Sequence, residues 1–139
     1  MLQERVLVKF VDDIRVDTGA GSAEGTLFVD PGADYLKDHF PGFPTLPGLL
    51  MLEASVQTAA ALWAASATPP REGAVLEHVD RLQVVRRVVP GETLRVRVTV
   101  QSDAGGRGTA SFTVRGAVDT ETAVRASFRL RAAAQEVTR

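Results

Sequence analysis

The chain has 139 residues, 45% of them hydrophobic and 24% charged, which suits one core of about 15 kDa and is too short for two independent domains flanking a cleft. Sixteen Lys and Arg against seventeen Asp and Glu leave a formal charge of -1, so there is no global basic field for nucleic acid. Cysteine is absent and histidine occurs only at His39 and His78, which excludes disulfide frameworks, thiol catalysis and cysteine-containing zinc sites, and leaves no metal and no cofactor to be expected.

Residues 5–17 and 23–29 are rich in β-branched and aromatic residues, and Thr18-Gly19-Ala20-Gly21 between them predicts a hairpin. The charges scattered through this N-terminal stretch do not read as a secretory signal, and no uninterrupted run of 18 apolar residues follows anywhere. A soluble, cytoplasmic protein is therefore expected. Pro31, Pro41, Pro44 and Pro47 make the next segment a fixed irregular loop, with room for one short helical turn at 34–37. Residues 48–67 lack proline and internal glycine and predict one helix of about five turns. That helix is apolar on nearly every face, the pattern of a buried central helix, and Ala54, Ala59, Ala60, Ala61 and Ala64 permit close approach of a sheet. Pro69-Pro70 ends it.

Four β-type runs follow at 74–89, 92–101, 108–118 and 123–132, separated by Pro90-Gly91, Asp103-Ala104-Gly105-Gly106 and Asp119-Thr120. Within 94–100, 110–114 and 124–130 apolar residues alternate with Arg, Thr or Ser, so one sheet face is core and the other wet. The simplest solution is α+β: one domain over 1–139, with an antiparallel sheet of five to six strands wrapped around a single helix. No strand-helix-strand alternation and no glycine-rich phosphate loop is present.

Three features are candidates for chemistry. Glu53 is the only charged residue between Leu49 and Pro70; a carboxyl group there either leaves the helix for solvent or is buried in the uncharged form that a low dielectric favours. Gln57 follows four residues later on the same face, within reach of that carboxyl group. His39 lies in a loop stiffened by Pro41, Pro44 and Pro47, which can hold an imidazole in place as a general base requires, although a lone loop histidine is more often a solvated one. His78, in a strand-like run, reads as structural or surface. The helix start at Gly48 points unpaired N–H groups at the end of the loop, where an oxyanion would develop. Base, acid and oxyanion donor together suit proton abstraction next to a carbonyl.

Residues 39–57, HFPGFPTLPGLLMLEASVQ, resemble the signature of the FabZ-type 3-hydroxyacyl-acyl-carrier-protein dehydratases, with the same His-to-Glu separation of fourteen and the glutamine four further on. Residues 79–92, VDRLQVVRRVVPGE, resemble the strand that leads into that family's PGD turn. The resemblance implies the hotdog fold and a homodimer with two sheets joined edge to edge, and leaves open whether dimers assemble further into a trimer of dimers. His39 of one chain would then face Glu53 of the other across an acyl tunnel. It also implies that His39 removes the α-proton of a (3R)-hydroxyacyl thioester carried on acyl carrier protein, and that Glu53 protonates the departing hydroxyl. Gly48 N–H would polarise the thioester carbonyl, the Thr45 carbonyl would orient the imidazole, and Gln57 would hold Glu53. A glutamate at position 53 favours the plain dehydratases over the related FabA-type dehydratase/isomerases, which have aspartate there. Asp38, Phe43, Val84 and Arg87 depart from the family pattern, which leaves acyl length and class open.

Arg81, Arg86 and Arg87 form a basic cluster that either receives an acidic carrier protein or is a solvated strand face. The pathway the resemblance implies is fatty-acid or type II polyketide/polyene biosynthesis. The competing readings are a hotdog acyl-thioesterase and a scaffold subunit of a heterodimeric dehydratase.

Overall fold

The computed structural model describes residues 10–36, 42, 44–66, 73–103 and 108–133. In chain order the elements are β1 (Asp13–Asp17), β2 (Ser22–Phe28), a single 3-10 turn (Asp34–Leu36), α1 (Gly48–Ala65), β3 (Ala74–Val84), β4 (Thr93–Asp103), β5 (Thr109–Val118) and β6 (Glu121–Ala132). All strands form one antiparallel sheet in the order β1-β2-β4-β5-β6-β3. After β2 the chain therefore crosses the sheet through α1 and returns as β3 on the far edge. The expected α+β architecture, an antiparallel sheet of five to six strands around one helix, is observed with six strands.

Alternation does what a period of two requires. Leu94, Val96 and Val98 of β4, Phe112 and Val114 of β5, and Val124, Phe128 and Leu130 of β6 are buried against α1, whereas Arg95, Arg97, Thr113, Arg115 and Arg125 are exposed on the opposite face. Met51, Leu52, Ala54, Ser55, Thr58, Ala59, Leu62 and Trp63 make up the buried side of α1. Trp63 packs edge-on to Phe112 at 6.4 Å between ring centroids, and Phe112 lies 6.0 Å from Phe128. The two buried hydroxyls of α1 are satisfied within the helix, Ser55 Oγ donating to Met51 O at 2.9 Å and Thr58 Oγ1 to Ala54 O at 2.8 Å. Beneath Thr58 the sheet comes so close that a Cβ on Gly25 would overlap Thr58 Oγ1, which is why β2 carries a glycine there.

Three expectations change in detail. By length and composition α1 is apolar enough to cross a membrane, which the absence of a long uninterrupted apolar run had argued against; here that apolarity serves packing under the sheet. Nor is α1 covered on every side in the single chain, since Leu49 is 73% exposed and Glu53 is also exposed. The third strand stops at Val84 and not at 89: Val85 and Arg86 N–H both donate to Ala123 O, and the chain then turns so that Val88 enters the core. On β3, two bulges between Leu76 and Arg81 keep Leu76, Val79, Leu82 and Val84 opposite Leu130, Phe128, Ala126 and Val124, the core-facing row of β6.

Candidate active site

Pro47 precedes the first turn of α1 and its carbonyl accepts from Leu50 N at 2.9 Å and Met51 N at 3.1 Å. No side chain caps this end, so among the described residues the N–H groups of Gly48 and Leu49 are the open donors of the helix. Gly48 sits tightly against β3, where an added Cβ would lie 3.1 Å from Val84 Cγ2. Thr45 is buried just upstream, and Leu46 N donates to Val88 O at 2.8 Å, tying the end of the proline-rich loop to the β3–β4 connection. His39 lies outside the described residues, as do Asp38 and Phe43.

One and a half turns into α1, Gln57 Nε2 donates to Glu53 Oε2 at 2.8 Å, the contact expected from their spacing of four. The other end of the amide is also held: Gln57 Oε1 accepts from Phe10 N at 2.9 Å and Val11 N at 3.3 Å. Two backbone donors on the oxygen dictate which way the amide faces, so its NH2 group points at the carboxylate. No local pattern signals this second anchor, because Phe10 lies 47 residues away. Phe10 also packs edge-on to Tyr35 at 5.7 Å, and burial, followed by the charges of Asp12 and Asp30, pushes the Tyr35 phenol up. Glu53 itself is on the open side of α1, so in the single chain the solvent-facing alternative is the observed one.

The basic cluster separates into two kinds. Arg81 and Arg87 are exposed, Arg81 Nη2 donating to Gln83 Oε1 at 2.6 Å. Arg86 is turned inward: Nη2 and Nη1 donate to the two Glu92 oxygens at 2.7 and 2.8 Å, Nε donates to Glu121 Oε1 at 3.0 Å, and Nη1 also donates to Arg87 O at 2.9 Å. Glu92 Oε1 further accepts from Val89 N at 3.0 Å. The hydrogen bonds from Arg86, then that from Val89, hold the Glu92 carboxyl at about 2. This clamp shapes the loop whose Val88 carbonyl holds Leu46. His78 is a surface residue, its Nε2 at 3.0 Å from Asp80 Oδ1 with both side chains about half exposed.

Gly48, Thr45, Glu53 and Gln57 thus lie along one helix end and its entry, with an anchored amide orienting a carboxyl group and open N–H donors about five residues of helix rise away. Such an arrangement can donate a proton and stabilise a carbonyl oxygen.

The family model for a FabA-like domain matches residues 3–127. The FabZ 3-hydroxyacyl-[acyl-carrier-protein] dehydratase of Cereibacter sphaeroides is 37% identical over 120 residues, 85% of this chain and 76% of that protein. The FabZ of Jannaschia is 32% identical over 130 residues, 92% of this chain and 81% of its own length. Among solved structures, smu.793 from Streptococcus mutans, bound to acetyl CoA, superposes with a TM-score of 0.70 at 17% identity, covering 98% of both chains. The dehydratase heterocomplex ApeI:P from Xenorhabdus doucetiae gives 0.65 at 20% identity, over 90% of this chain and 99% of that one. The chain belongs to the FabA-like family, alongside the FabZ dehydratases, and has the hotdog fold.

Proposed function

We propose that this protein is a hydro-lyase that dehydrates a (3R)-hydroxyacyl thioester on acyl carrier protein to the trans-2-enoyl thioester. Family membership and the FabZ relatives support the reaction class. The observation that carries the site is the Gln57–Glu53 hydrogen bond, with Gln57 anchored on Phe10 and Val11. In this reading His39 takes the α-proton, the electron pair forms the α,β double bond, and the β-hydroxyl departs as water with a proton from Glu53. Gly48 N–H stabilises the enolate-like oxygen, and the Thr45 carbonyl orients the imidazole.

A second copy completes the site. β3 is an 11-residue strand paired only with β6 among the described residues, and its free edge is a template for the same strand of another chain. Exposed Leu49, Val84, Val85 and Val89 lie along α1 and the end of β3 and would be covered there. A sheet around one helix does not enclose a long acyl chain, whereas two such units flank a tunnel. Arg81 and Arg87 are available to meet the carrier; Arg86 is occupied by Glu92 and Glu121.

Incubation with a 3-hydroxyacyl carrier protein tests the reading by mass spectrometry. Loss of one water with the thioester retained supports it, and free carrier thiol would instead establish a thioesterase. His39→Ala and Glu53→Gln, made separately, should each abolish turnover; full activity in both would overturn the assignment. An obligate heterodimer on purification from the native source would replace the homodimer.

A further inference from the structure

The wet face of the sheet carries a feature with no part in the dehydration chemistry. Arg97 of β4, Arg115 of β5 and Arg125 of β6 stand directly opposite one another in register, a row of three guanidinium groups on three adjacent strands. Like charges opposed in this way destabilise a sheet. The neighbouring arginines are neutralised: Arg95 Nε lies 3.4 Å from Glu24 Oε2 and Arg129 Nε 3.1 Å from Glu77 Oε1. In the row itself Arg115 is aimed by its bonds to Thr122 Oγ1 at 2.8 Å and Thr120 O at 3.2 Å. Among the described residues, no acid or hydrogen-bond acceptor engages the side chains of Arg97 and Arg125. The row edges an open hollow of about 210 Å³ that also takes in Thr99 and Thr113, a registered hydroxyl pair one step along β4 and β5.

We propose that this hollow is a binding site for a small diphosphate-bearing ligand. Guanidinium groups pair with phosphoryl oxygens through two parallel N–H donors, and the threonine hydroxyls add neutral donors beside them. Strands about 4.8 Å apart spread the three cations over about 10 Å, a span that suits two linked phosphoryl groups better than one. An extended polyanion fits less well. Glu24 and Glu77 lie on the flanking strands β2 and β3 and Glu121 at the start of β6, and the net charge of -1 supplies no long-range attraction.

Titration calorimetry of the full chain with inorganic pyrophosphate, at fixed ionic strength, tests the proposal, with orthophosphate as comparison. Saturable binding of pyrophosphate at least about tenfold tighter than orthophosphate is expected, and Arg97→Ser and Arg125→Ser should each weaken it by about tenfold. Arg131→Ser, an exposed arginine outside the row, should leave it within about twofold. All three substitutions are on the surface, and circular dichroism checks their folding. Absence of saturable binding overturns the site. So does an equal loss in Arg131→Ser, which would reduce it to diffuse charge, or stronger competition by an oligonucleotide or acidic peptide. Dehydratase turnover of Arg97→Ser and Arg125→Ser should match the parent, so the site and the proposed reaction stand or fall separately.

Discussion

Glu92→Gln probes the clamp that shapes the loop behind the start of α1. The carboxyl group sits at about 2 against an ordinary value of 4.5 because Arg86 and the Val89 N–H favour its charged form. At 1.36 kcal/mol per pH unit that difference sets a ceiling of about 3 kcal/mol on what ionised Glu92 adds to folding. Both side chains of the pair are about one quarter exposed, so solvent screening lowers the expected loss to about 1–2 kcal/mol at pH 7. The folded value is depressed, so the contribution is complete above 4.5 and is lost as the pH falls toward 2. Urea unfolding of parent and variant at one protomer concentration, from pH 7 to pH 3, measures the gap. It should shrink below pH 4.5 and stand at less than about half its neutral value by pH 3. A gap that is absent at pH 7, or that does not change between pH 6 and pH 3, would refute the argument.

Gln57→Leu removes the hydrogen bonds to Phe10 N, Val11 N and Glu53 together and should cost about 1–3 kcal/mol in urea unfolding, with turnover falling by about tenfold or more as Glu53 loses its orientation; a variant as active as the parent would remove Gln57 from the site. Gly25→Ala forces a Cβ onto Thr58 Oγ1 and should destabilise by about 1–3 kcal/mol; Thr58→Ala in the same chain should recover much of it, and strict additivity in the thermal melts would show that the overlap is not the cause. Leu49→Asp places a charge on the most exposed large hydrophobic side chain among the described residues; sedimentation should show loss of the proposed dimer together with loss of turnover, and a dimer that persists in the variant would move the interface elsewhere.

Much of this protein is local and therefore readable. A period of two set the buried and wet faces of β4, β5 and β6, proline-free apolar sequence marked α1, and a spacing of four brought Gln57 to Glu53. Local pattern stops at the length of an element. That β3 crosses to the far edge and lies beside β6 depends on how α1 packs across the sheet, and no run of residues states it. The departure of the chain from the sheet after Val84 looks from sequence like more strand, because Val85, Val88 and Val89 continue the β-type composition; what ends it is the burial of Val88 and its bond to Leu46.

The same limit applies to charge. From sequence Arg86 and Arg87 are equivalent members of a basic cluster, and only folding brings Glu121, 35 residues away, to Arg86 and leaves Arg87 facing solvent. Arg97, Arg115 and Arg125 are three ordinary polar positions on three strands until register sets them in one row. The sequence by itself determined the elements, their buried faces and the family motif, because periodicity and short spacings act within one element. Strand order, register and the partners of each charge were decided by tertiary structure, because they depend on distances between residues that the chain keeps far apart.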